Sequence, residues 1–399
     1  MNSFACRAFQ CCFGAGARLL PWRTPEVYTG DGSLLRVADI LRENSLRRPF
    51  VIASRRQCAD EHFRRLQEVL DMQDILLSIF SAVEPNPSVE TVEKIAEQYC
   101  IDRCDCFLVI GGGSPMDAAK AAAALLVRPN RSLSSLAGLL KVRRRIPPFI
   151  AVPTTAGTGS ETTIAAVITG RDHRKYAISD LGLIPRYAIL DPTLSAGLPP
   201  HITAETGMDA LTHAVEAYLS RFYNTRKTRE QAERAVVTIF SHLERAYRDG
   251  ASLPDRAAML QASFDAGAAF TRASVGNVHA IAHTLGGLYG TAHGLANAVL
   301  LPIVLEDYGA AAYPRLARLA HLVGIQEASA EASARAFIAE IRAMNARMGI
   351  PDHFDCIRSE DIPLMASWAC REANPVYPVP VIYDQARFAR VIERSCAEP

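Results

Sequence analysis

Short apolar runs separated by helical patterns dominate the first half of this chain. They lie at residues 48–54, 75–83, 106–110, 150–152 and 188–190. Continuous apolar runs of this length, bounded by turn residues, are typical of strands that are buried on both faces. Strands that alternate with helices form βαβ units, which build a parallel sheet with helices on its faces. The first half therefore predicts an α/β domain with a parallel sheet.

The pattern changes after residue 191. Apolar residues then recur at helical spacing over 204–220, 228–248 and 253–270, and convincing strand signals end. A chain of 399 residues is also too long for one small core. We therefore predict two domains after an extension of unclear role: the extension over 1–21, an α/β domain over 22–195 and an all-α domain over 196–399.

Composition argues against several classes of function. The chain is 49% apolar and has a formal net charge of +1, so we expect neither a nucleic-acid partner nor a disordered acidic protein. The ten cysteines include no CxxC pair, which indicates reduced intracellular thiols. No run reaches the roughly eighteen apolar residues of a membrane span. We expect a soluble, cytoplasmic protein that makes no membrane contact.

The first 21 residues carry Arg7 and Arg18, apolar patches and no acidic residue. This composition resembles a weak targeting or interfacial segment. The alternative is an extended or misassigned start of the chain that stays poorly ordered.

A glycine loop follows the apolar run at 106–110 and opens an alanine-rich helix. Gly111, Gly112 and Gly113 allow a phosphate to approach the backbone, and the following helix N-terminus attracts an anion. We expect Ser114 to cap that helix and Pro115 to occupy its first position. The sequence thus predicts a phosphate cradle that is neither GxGxxG nor a P-loop, with a glycine turn without a ligand as the alternative.

A second polar loop, PTTAGTGSE at 153–161, follows the next predicted strand. It presents hydroxyl and amide groups at the carboxyl end of a strand, where open α/β sheets bind ligands. Alone, it is also compatible with an ordinary Ser/Thr-rich turn. Two such loops after neighbouring strands favour a dinucleotide over a mononucleotide.

The segment 276–297 holds three of the chain's ten histidines. His279 and His283 are four residues apart, so a helix projects them from one face. We expect Gly286, Gly287 and Gly290 to break the helix and to let the backbone turn sharply, which returns His293 to that face. Converging imidazoles indicate a transition-metal site, and a helical hairpin with ordinary histidines is the alternative.

Asp209 and His213 are also four residues apart on a predicted helix. On their own such residues are more often a capping or surface pair. With His279 and His293 they form a set of one carboxylate and three imidazoles that suits Fe(II) or Zn(II). His283 lies one turn beyond His279, which suits a proton carrier, although it could also replace Asp209 as a ligand.

Several long motifs together give the chain a family resemblance. It resembles the iron-containing (group III) alcohol dehydrogenases over roughly residues 22–390. The motifs stand in the family's order: GGGSPMDAAK, PTTAGTGSE, AILDP, TAETGMDALTHAVEAY and NVHAIAHTLGGLYGTAHGLANAVLLP. The resemblance implies a Rossmann-like α/β domain, an all-α domain, a divalent metal, a nicotinamide cofactor and a homodimer or larger homo-oligomer.

The resemblance also implies roles for individual residues. The family's metal ligands correspond to Asp209, His213, His279 and His293, and its proton-relaying histidine to His283. Phe270 resembles a residue that lines the substrate pocket, and Lys175 a lysine that approaches the nicotinamide ribose. The remaining cofactor-binding positions are Gly111, Gly112, Gly113, Ser114, Asp117, Thr154, Thr155 and Thr158.

One position departs from the pattern of the family's NAD-preferring members. They often end the second strand with an aspartate that binds the adenosine ribose, whereas this chain has Ser54 followed by Arg55 and Arg56. Loss of the carboxylate and gain of guanidinium groups favour a 2′-phosphate, so we predict NADP over NAD. A solvated basic patch is the alternative.

These observations predict a metal-dependent, NAD(P)-linked alcohol dehydrogenase or aldehyde reductase that acts on a small substrate. The metal is expected to be Fe(II), with Zn(II) as the alternative. A polyol dehydrogenase of the glycerol type is the enzymatic alternative. A catalytically silent assembly subunit is the alternative from another class, and the complete set of candidate ligands argues against it.

Overall fold

The computed structural model describes residues 3–171 and 175–397. The chain forms two compact units, one over Pro21–Gly197 and one that joins Met1–Leu20 to Leu198–Pro399. We call them the α/β unit and the helical unit. Elements are numbered along the chain, so that helix α1 (Ser3–Ala17) belongs to the helical unit.

The α/β unit contains nine strands and six helices among its described residues. The strands are β1 Glu26–Thr29, β2 Pro49–Ile52, β3 Ser78–Phe80, β4 Cys106–Gly111, β5 Gly138–Leu139, β6 Phe149–Pro153, β7 Ala165–Thr169, β8 Lys175–Ser179 and β9 Tyr187–Leu190. The helices are α2 Arg36–Glu43, α3 Arg55–Cys58, α4 Glu61–Asp71, α5 Val89–Ile101, α6 Gly113–Val127 and α7 Leu133–Leu136.

Six strands form the main sheet in the order β1-β9-β6-β4-β2-β3, and all their pairings are parallel. Every residue of β4 and β6 is buried, as expected for strands covered on both faces. Alternate residues of β4 enter opposite cores, with Phe107 and Val109 in one and Leu108 and Ile110 in the other. The predicted α/β parallel-sheet domain is thereby confirmed.

A small second sheet was not expected from the sequence. Its order is β5-β8-β7, and β7 pairs with β8 in the antiparallel direction. These strands are short, and β7 alternates half-buried with buried residues instead of forming a continuous apolar run. A strand search based on fully buried runs therefore overlooks them.

The helical unit follows β9, and the described residues beyond β9 include no strand. Its helices after α1 are α8 Pro200–Leu219, α9 Arg226–Arg248, α10 Leu253–Ala273, α11 Asn277–Leu288, α12 His293–Tyr308, α13 Tyr313–Leu322, α14 Ala330–Arg347, α15 Ile362–Ala373 and α16 Gln385–Glu393. Helix α8 is the central element, since every residue from Gly207 to Leu219 is buried. A helix that is buried all round can direct polar side chains only towards other protein groups. Among the described residues, no helix combines the length and the apolarity that a membrane crossing requires.

Helix α1 packs on the helical unit through small and polar residues. Cys6 and Gln10 are fully buried. Gly14 approaches the carbonyl oxygen of Phe222 so closely that a Cβ atom at this position would lie 2.9 Å from it. The Phe13 and Tyr223 rings are in contact, with centroids 5.2 Å apart. The N-terminal extension therefore contributes a helix to the helical unit.

Candidate metal centre and nucleotide loops

Helix α8 supplies two side chains of the predicted metal site. Asp209 and His213 lie one turn apart, and their side chains are 3% and 6% exposed. Oδ1 of Asp209 is 4.0 Å from Nδ1 of His213. The spacing of four residues thus places a carboxylate and an imidazole together inside the unit, and the pair does not lie on the surface.

The α11–α12 hairpin supplies the other two side chains. His279 lies in the first turn of α11, and His293 begins α12. Gly290 makes the turn between them with φ of 67°, a conformation that favours glycine. The prediction that Gly286 and Gly287 break the helix was wrong, because both lie within α11.

The four side chains converge on one point. Asp209, His213, His279 and His293 each offer a ligand atom, and these atoms lie within 4.8 Å of one another. Oδ1 of Asp209 is 3.5 Å from Nε2 of His293 and 3.9 Å from Nε2 of His279. Ligand atoms about 2.1 Å from a tetrahedral metal are roughly 3.4 Å apart. We call these four residues the candidate metal centre, and their separations fit a divalent ion.

The side-chain amide of Asn297 contacts three of the four candidate ligand atoms. Its Nδ2 lies 2.7 Å from Oδ1 of Asp209, 3.1 Å from Nε2 of His279 and 3.2 Å from Nε2 of His293. One amide nitrogen within hydrogen-bonding distance of these three atoms shows that they face a common point. Burial also lowers the pKa of His279 well below its usual value, so its imidazole is neutral, as a metal ligand must be. The donor set therefore fits a transition metal.

Glu216 fixes the orientation of His279. Its carboxylate accepts the backbone N–H groups of Gly276 and Val278 at 2.7 and 2.8 Å, and it lies 2.6 Å from Nδ1 of His279. With the Nδ1 proton shared with Glu216, Nε2 of His279 faces the candidate metal centre. Metal-ligating histidines commonly make this second contact with a carboxylate. Burial raises the pKa of Glu216, while the N–H groups of Gly276 and Val278 oppose this shift and favour the carboxylate.

His283 lies beside the candidate metal centre but is not one of its four residues. Its ring stacks on that of His293, with centroids 5.3 Å apart, and its Nδ1 lies 2.6 Å from Oε1 of Glu372. Phe270 stacks on His213 at 4.1 Å between centroids. Both predicted neighbours of the substrate are thus next to the candidate metal centre, and their roles remain predictions.

In the α/β unit, the glycine loop begins helix α6 earlier than the sequence suggested. Gly112 is the N-cap and Gly113 the first helical residue, so the prediction of Ser114 as cap and Pro115 as first residue was wrong. Ser114 Oγ accepts the backbone N–H of Asn86 at 3.3 Å. Glycine at both positions leaves the close approach of the neighbouring loop unobstructed.

The two predicted nucleotide loops contact each other. Cβ atoms at Gly112 and Gly113 would lie 3.1 Å from Oγ1 of Thr155 and 2.9 Å from Cγ2 of Thr158. The backbone N–H of Thr154 donates to the carbonyl of Gly111 at 3.1 Å. The structure therefore brings the glycine loop and the threonine loop together at adjacent strands β4 and β6.

A buried lysine holds the base of these loops. Lys120 is fully buried, and its Nζ lies 2.5 to 3.2 Å from five oxygens of Ser160, Thr163 and Ala165. Ser160 Oγ donates to Asp117 at 3.2 Å. Burial lowers the pKa of Lys120 to about 8 and raises that of Asp117 to about 6 and of Glu161 to about 7. Asp117 thus contacts the threonine loop through Ser160.

The remaining predicted cofactor residues lie at the edges of this region. Ser54 caps α3, and Gln57 of the same capping box donates to Oγ1 of Thr154 at 3.1 Å. Lys175 Nζ donates to Oδ1 of Asn86 at 2.8 Å. Ser54 is thus linked to the threonine loop through Gln57, and Lys175 to the glycine loop through Asn86. Arg55 and Arg56 are exposed.

Several side chains that shape these sites were missed by sequence reasoning. They are Gln57, Lys120, Glu216, Asn297 and Glu372. Helical spacing could have identified two of them, since Glu216 lies three residues after His213 and Asn297 four residues after His293. Glu372 lies 89 residues from His283, and nothing in the sequence connects them.

Comparison with known proteins gives a consistent result over nearly the whole chain. Residues 24–192 match the family described as iron-containing alcohol dehydrogenase, and residues 203–394 match the C-terminal domain of the Fe-containing alcohol dehydrogenase family. The chain is 40% identical to 1,3-propanediol dehydrogenase of Klebsiella pneumoniae over 306 residues, which cover 75% of this chain and 78% of that protein.

Two further similarities extend over most of the chain. Alcohol dehydrogenase 4 of Saccharomyces cerevisiae is 34% identical over 361 residues, which cover 88% of this chain and 93% of the yeast protein. The crystal structure of a 1,3-propanediol oxidoreductase superposes with a TM-score of 0.89 at 33% identity. The alignment covers 95% of this chain and all of the other.

Proposed function

We propose that this chain, which belongs to the iron-containing alcohol dehydrogenase family and is a nicotinamide-linked oxidoreductase of alcohols or aldehydes, acts on a small substrate through the candidate metal centre. Hydride moves between the nicotinamide C4 and the substrate carbon. The similarity to proteins named for 1,3-propanediol and for alcohol supports a short-chain alcohol or aldehyde.

One observation carries this proposal. Three helices bring a carboxylate and three imidazoles within 4.8 Å of one another, with Asn297 and Glu216 orienting them. Asp209, His213, His279 and His293 would hold a divalent metal, which supplies Lewis-acid stabilisation of a substrate oxygen worth several kcal/mol. Burial of α8 keeps water away from two of these side chains and strengthens their electrostatic interactions.

His283 is proposed to handle the proton of the reaction. Its Nδ1 lies 2.6 Å from Oε1 of Glu372, and Nε2 is proposed to accept a proton from an alcohol or to return one to a carbonyl oxygen. Its ring stacks on His293 of the candidate metal centre, so the proton site and the metal ligands are neighbours. Phe270, stacked on His213, is proposed to contact the substrate.

For the cofactor we propose the nucleotide loops as the binding site and NADP as the preferred form. The cradle comprises Gly111 to Ser114 with Thr154, Thr155 and Thr158, while Asp117 supports it and Lys175 lies near its edge. Exposed Arg55 and Arg56 follow Ser54 at the position where a carboxylate would favour NAD. Replacement Ser54→Asp should shift the NADP/NAD ratio of kcat/KM towards NAD by about tenfold. An unchanged ratio would remove NADP preference from the proposal.

The metal is proposed to be Fe(II), with Zn(II) as the alternative. Both ions accept imidazole and carboxylate ligands, so the donor set does not separate them. Elemental analysis of protein purified without added metal distinguishes the two. We also propose a homodimer or larger homo-oligomer, for which the family resemblance is the support and light scattering is the measurement.

The decisive experiment combines elemental analysis with a screen of short alcohols and aldehydes against NAD(P)+ and NAD(P)H. We expect about one divalent metal per chain and turnover of short-chain substrates. Turnover of glycerol-type polyols alone would favour the polyol dehydrogenase. Absence of both bound metal and turnover would contradict the proposal and favour the silent assembly subunit.

A further inference from the structure

Helix α1 lies outside the residues that match the alcohol dehydrogenase families, since the first match begins at residue 24. It is nevertheless tied by side-chain hydrogen bonds to residues 375–381, which we call the C-terminal strap. Gln10 Nε2 donates to the carbonyls of Pro375 and Tyr377 at 3.0 and 2.7 Å. Arg7 donates to the carbonyls of Val379 and Pro380 at 2.7 and 2.8 Å.

These contacts restrain the backbone of the C-terminal strap. Arg7 and Gln10 are three residues apart on one face of α1, and Arg7 Nη1 also donates to Oε1 of Gln10 at 2.9 Å. Together they donate hydrogen bonds to four carbonyls of the strap. The strap contains no helix or strand whose backbone N–H groups could serve as donors instead. Gln10 is fully buried, so the loss of its amide would leave the carbonyls of Pro375 and Tyr377 without this donor.

The strap in turn contacts the residues around the candidate metal centre. Tyr377 Oη donates to Oε1 of Glu372 at 2.7 Å, and the same oxygen lies 2.6 Å from Nδ1 of His283. Burial keeps the pKa of Tyr377 well above its usual value, so the phenol stays protonated and acts as the donor. Asn277, at the start of α11, donates to the carbonyl of Val381 at 3.2 Å.

We propose that α1 and Glu372 are positioning elements for His283. Tyr377 holds the Glu372 carboxylate, which accepts the Nδ1 proton of His283 and so keeps Nε2 unprotonated for proton exchange. Helix α1 holds the strap that carries Tyr377. The importance of Nε2 for turnover rests on the proposed function, whereas the tautomer of His283 does not.

The first test replaces the acceptor. Glu372→Met removes both carboxylate oxygens at similar size, and Glu372→Gln keeps one carbonyl oxygen as a conservative rescue. Nitrogen NMR of histidine-labelled protein, with His283 assigned by His283→Gln, reports the tautomer directly. We expect the wild type and Glu372→Gln to show Nδ1–H, and Glu372→Met to show a mixture with Nε2–H.

Kinetics provide the second readout. Glu372→Met should lower kcat about tenfold, since correct protonation of a general acid or base contributes at least that much. Cofactor KM and metal content should stay at wild-type values, and Glu372→Gln should recover most of kcat. Glu360→Met, which removes an exposed carboxylate, is the matched control. An unchanged tautomer and kcat in Glu372→Met would overturn the role of Glu372.

The role of α1 is tested with Arg7→Ala/Gln10→Ala in the full chain. We expect the same tautomer mixture and a drop in kcat of about threefold to tenfold. Arg18→Ala, which removes an exposed guanidinium just beyond α1, should match wild type. If the double variant does not fold, Gln10→Ala alone replaces it and should show the same tautomer mixture. A wild-type tautomer in a folded α1 variant would overturn the role of α1.

Wild-type protein with the Nδ1–H tautomer but no oxidoreductase turnover would contradict the proposed function alone.

Discussion

The candidate metal centre and the nucleotide loops are built by opposite means. In the helical unit, rigid helices deliver side chains that would themselves be ligands, and Asn297 and Glu216 orient them. In the α/β unit, the loops offer backbone groups and threonine hydroxyls, and the buried side chain of Lys120 donates hydrogen bonds at the end of the threonine loop. Substitutions in the first region should therefore abolish a site outright, whereas those in the second should loosen one that persists.

The largest effect is expected from Asp209→Ala. Its carboxylate oxygen lies 3.5 Å from Nε2 of His293 and accepts a hydrogen bond from Asn297, so its loss should lower metal affinity by more than about 100-fold. Elemental analysis after dialysis against a chelator measures the metal, and calorimetry with NAD(P)+ should give wild-type cofactor affinity. The exposed Asp355→Ala serves as control. Retention of stoichiometric metal by Asp209→Ala would show that the candidate metal centre is assigned wrongly.

Lys120→Met should weaken the α/β unit without touching the metal. It removes a fully buried ammonium and with it the hydrogen bonds that Nζ donates to the carbonyls of Ser160, Thr163 and Ala165. Loss of one member of such a buried cluster costs roughly 3 kcal/mol or more in the free energy of unfolding. Urea unfolding followed in the chelator-treated protein measures the cost, with the exposed Lys94→Met as control. Loss of bound metal in a folded Lys120→Met protein would contradict the prediction that Lys120 does not affect metal binding.

Gly113→Ala tests the contact between the two nucleotide loops. The new methyl group would lie 2.9 Å from Cγ2 of Thr158 and should push the loops apart. We expect cofactor KM to rise about tenfold, which corresponds to roughly 1.4 kcal/mol. Thr158→Ser deletes the obstructing methyl and should restore most of the affinity in the double variant. Gly16→Ala, where the methyl group meets no atom within 4 Å, is the control. Failure of the double variant to recover would mean that the methyl contact is not the cause.

The same contrast explains what the sequence could reveal. The central parallel strands were predictable because a strand such as β4 is apolar along its whole length. Asp209 and His213 were predictable as neighbours because helical spacing alone places them on one face. Ser114 was misassigned as a cap because the two glycines before it tolerate several backbone conformations. Glu372 and Gln10 act on partners far away in the chain, and residue type does not reveal such contacts.

The last effect concerns Glu161, the final residue of the polar loop at 153–161. Burial raises its pKa to about 7, above the usual value of 4.5, and Oε1 accepts no hydrogen bond from the described residues. The folded protein therefore retains a proton that the unfolded chain releases, so the associated stability is complete below about pH 4.5 and lost as pH rises through 7. Glu161→Gln should remove this loss, making the change in unfolding free energy from pH 5 to pH 8 smaller than in wild type by roughly 2 kcal/mol. Urea unfolding of chelator-treated protein measures it, with the exposed Glu97→Gln as control. Equal pH dependence in wild type and Glu161→Gln would mean that Glu161 is already ionised in the folded protein, held by Lys120.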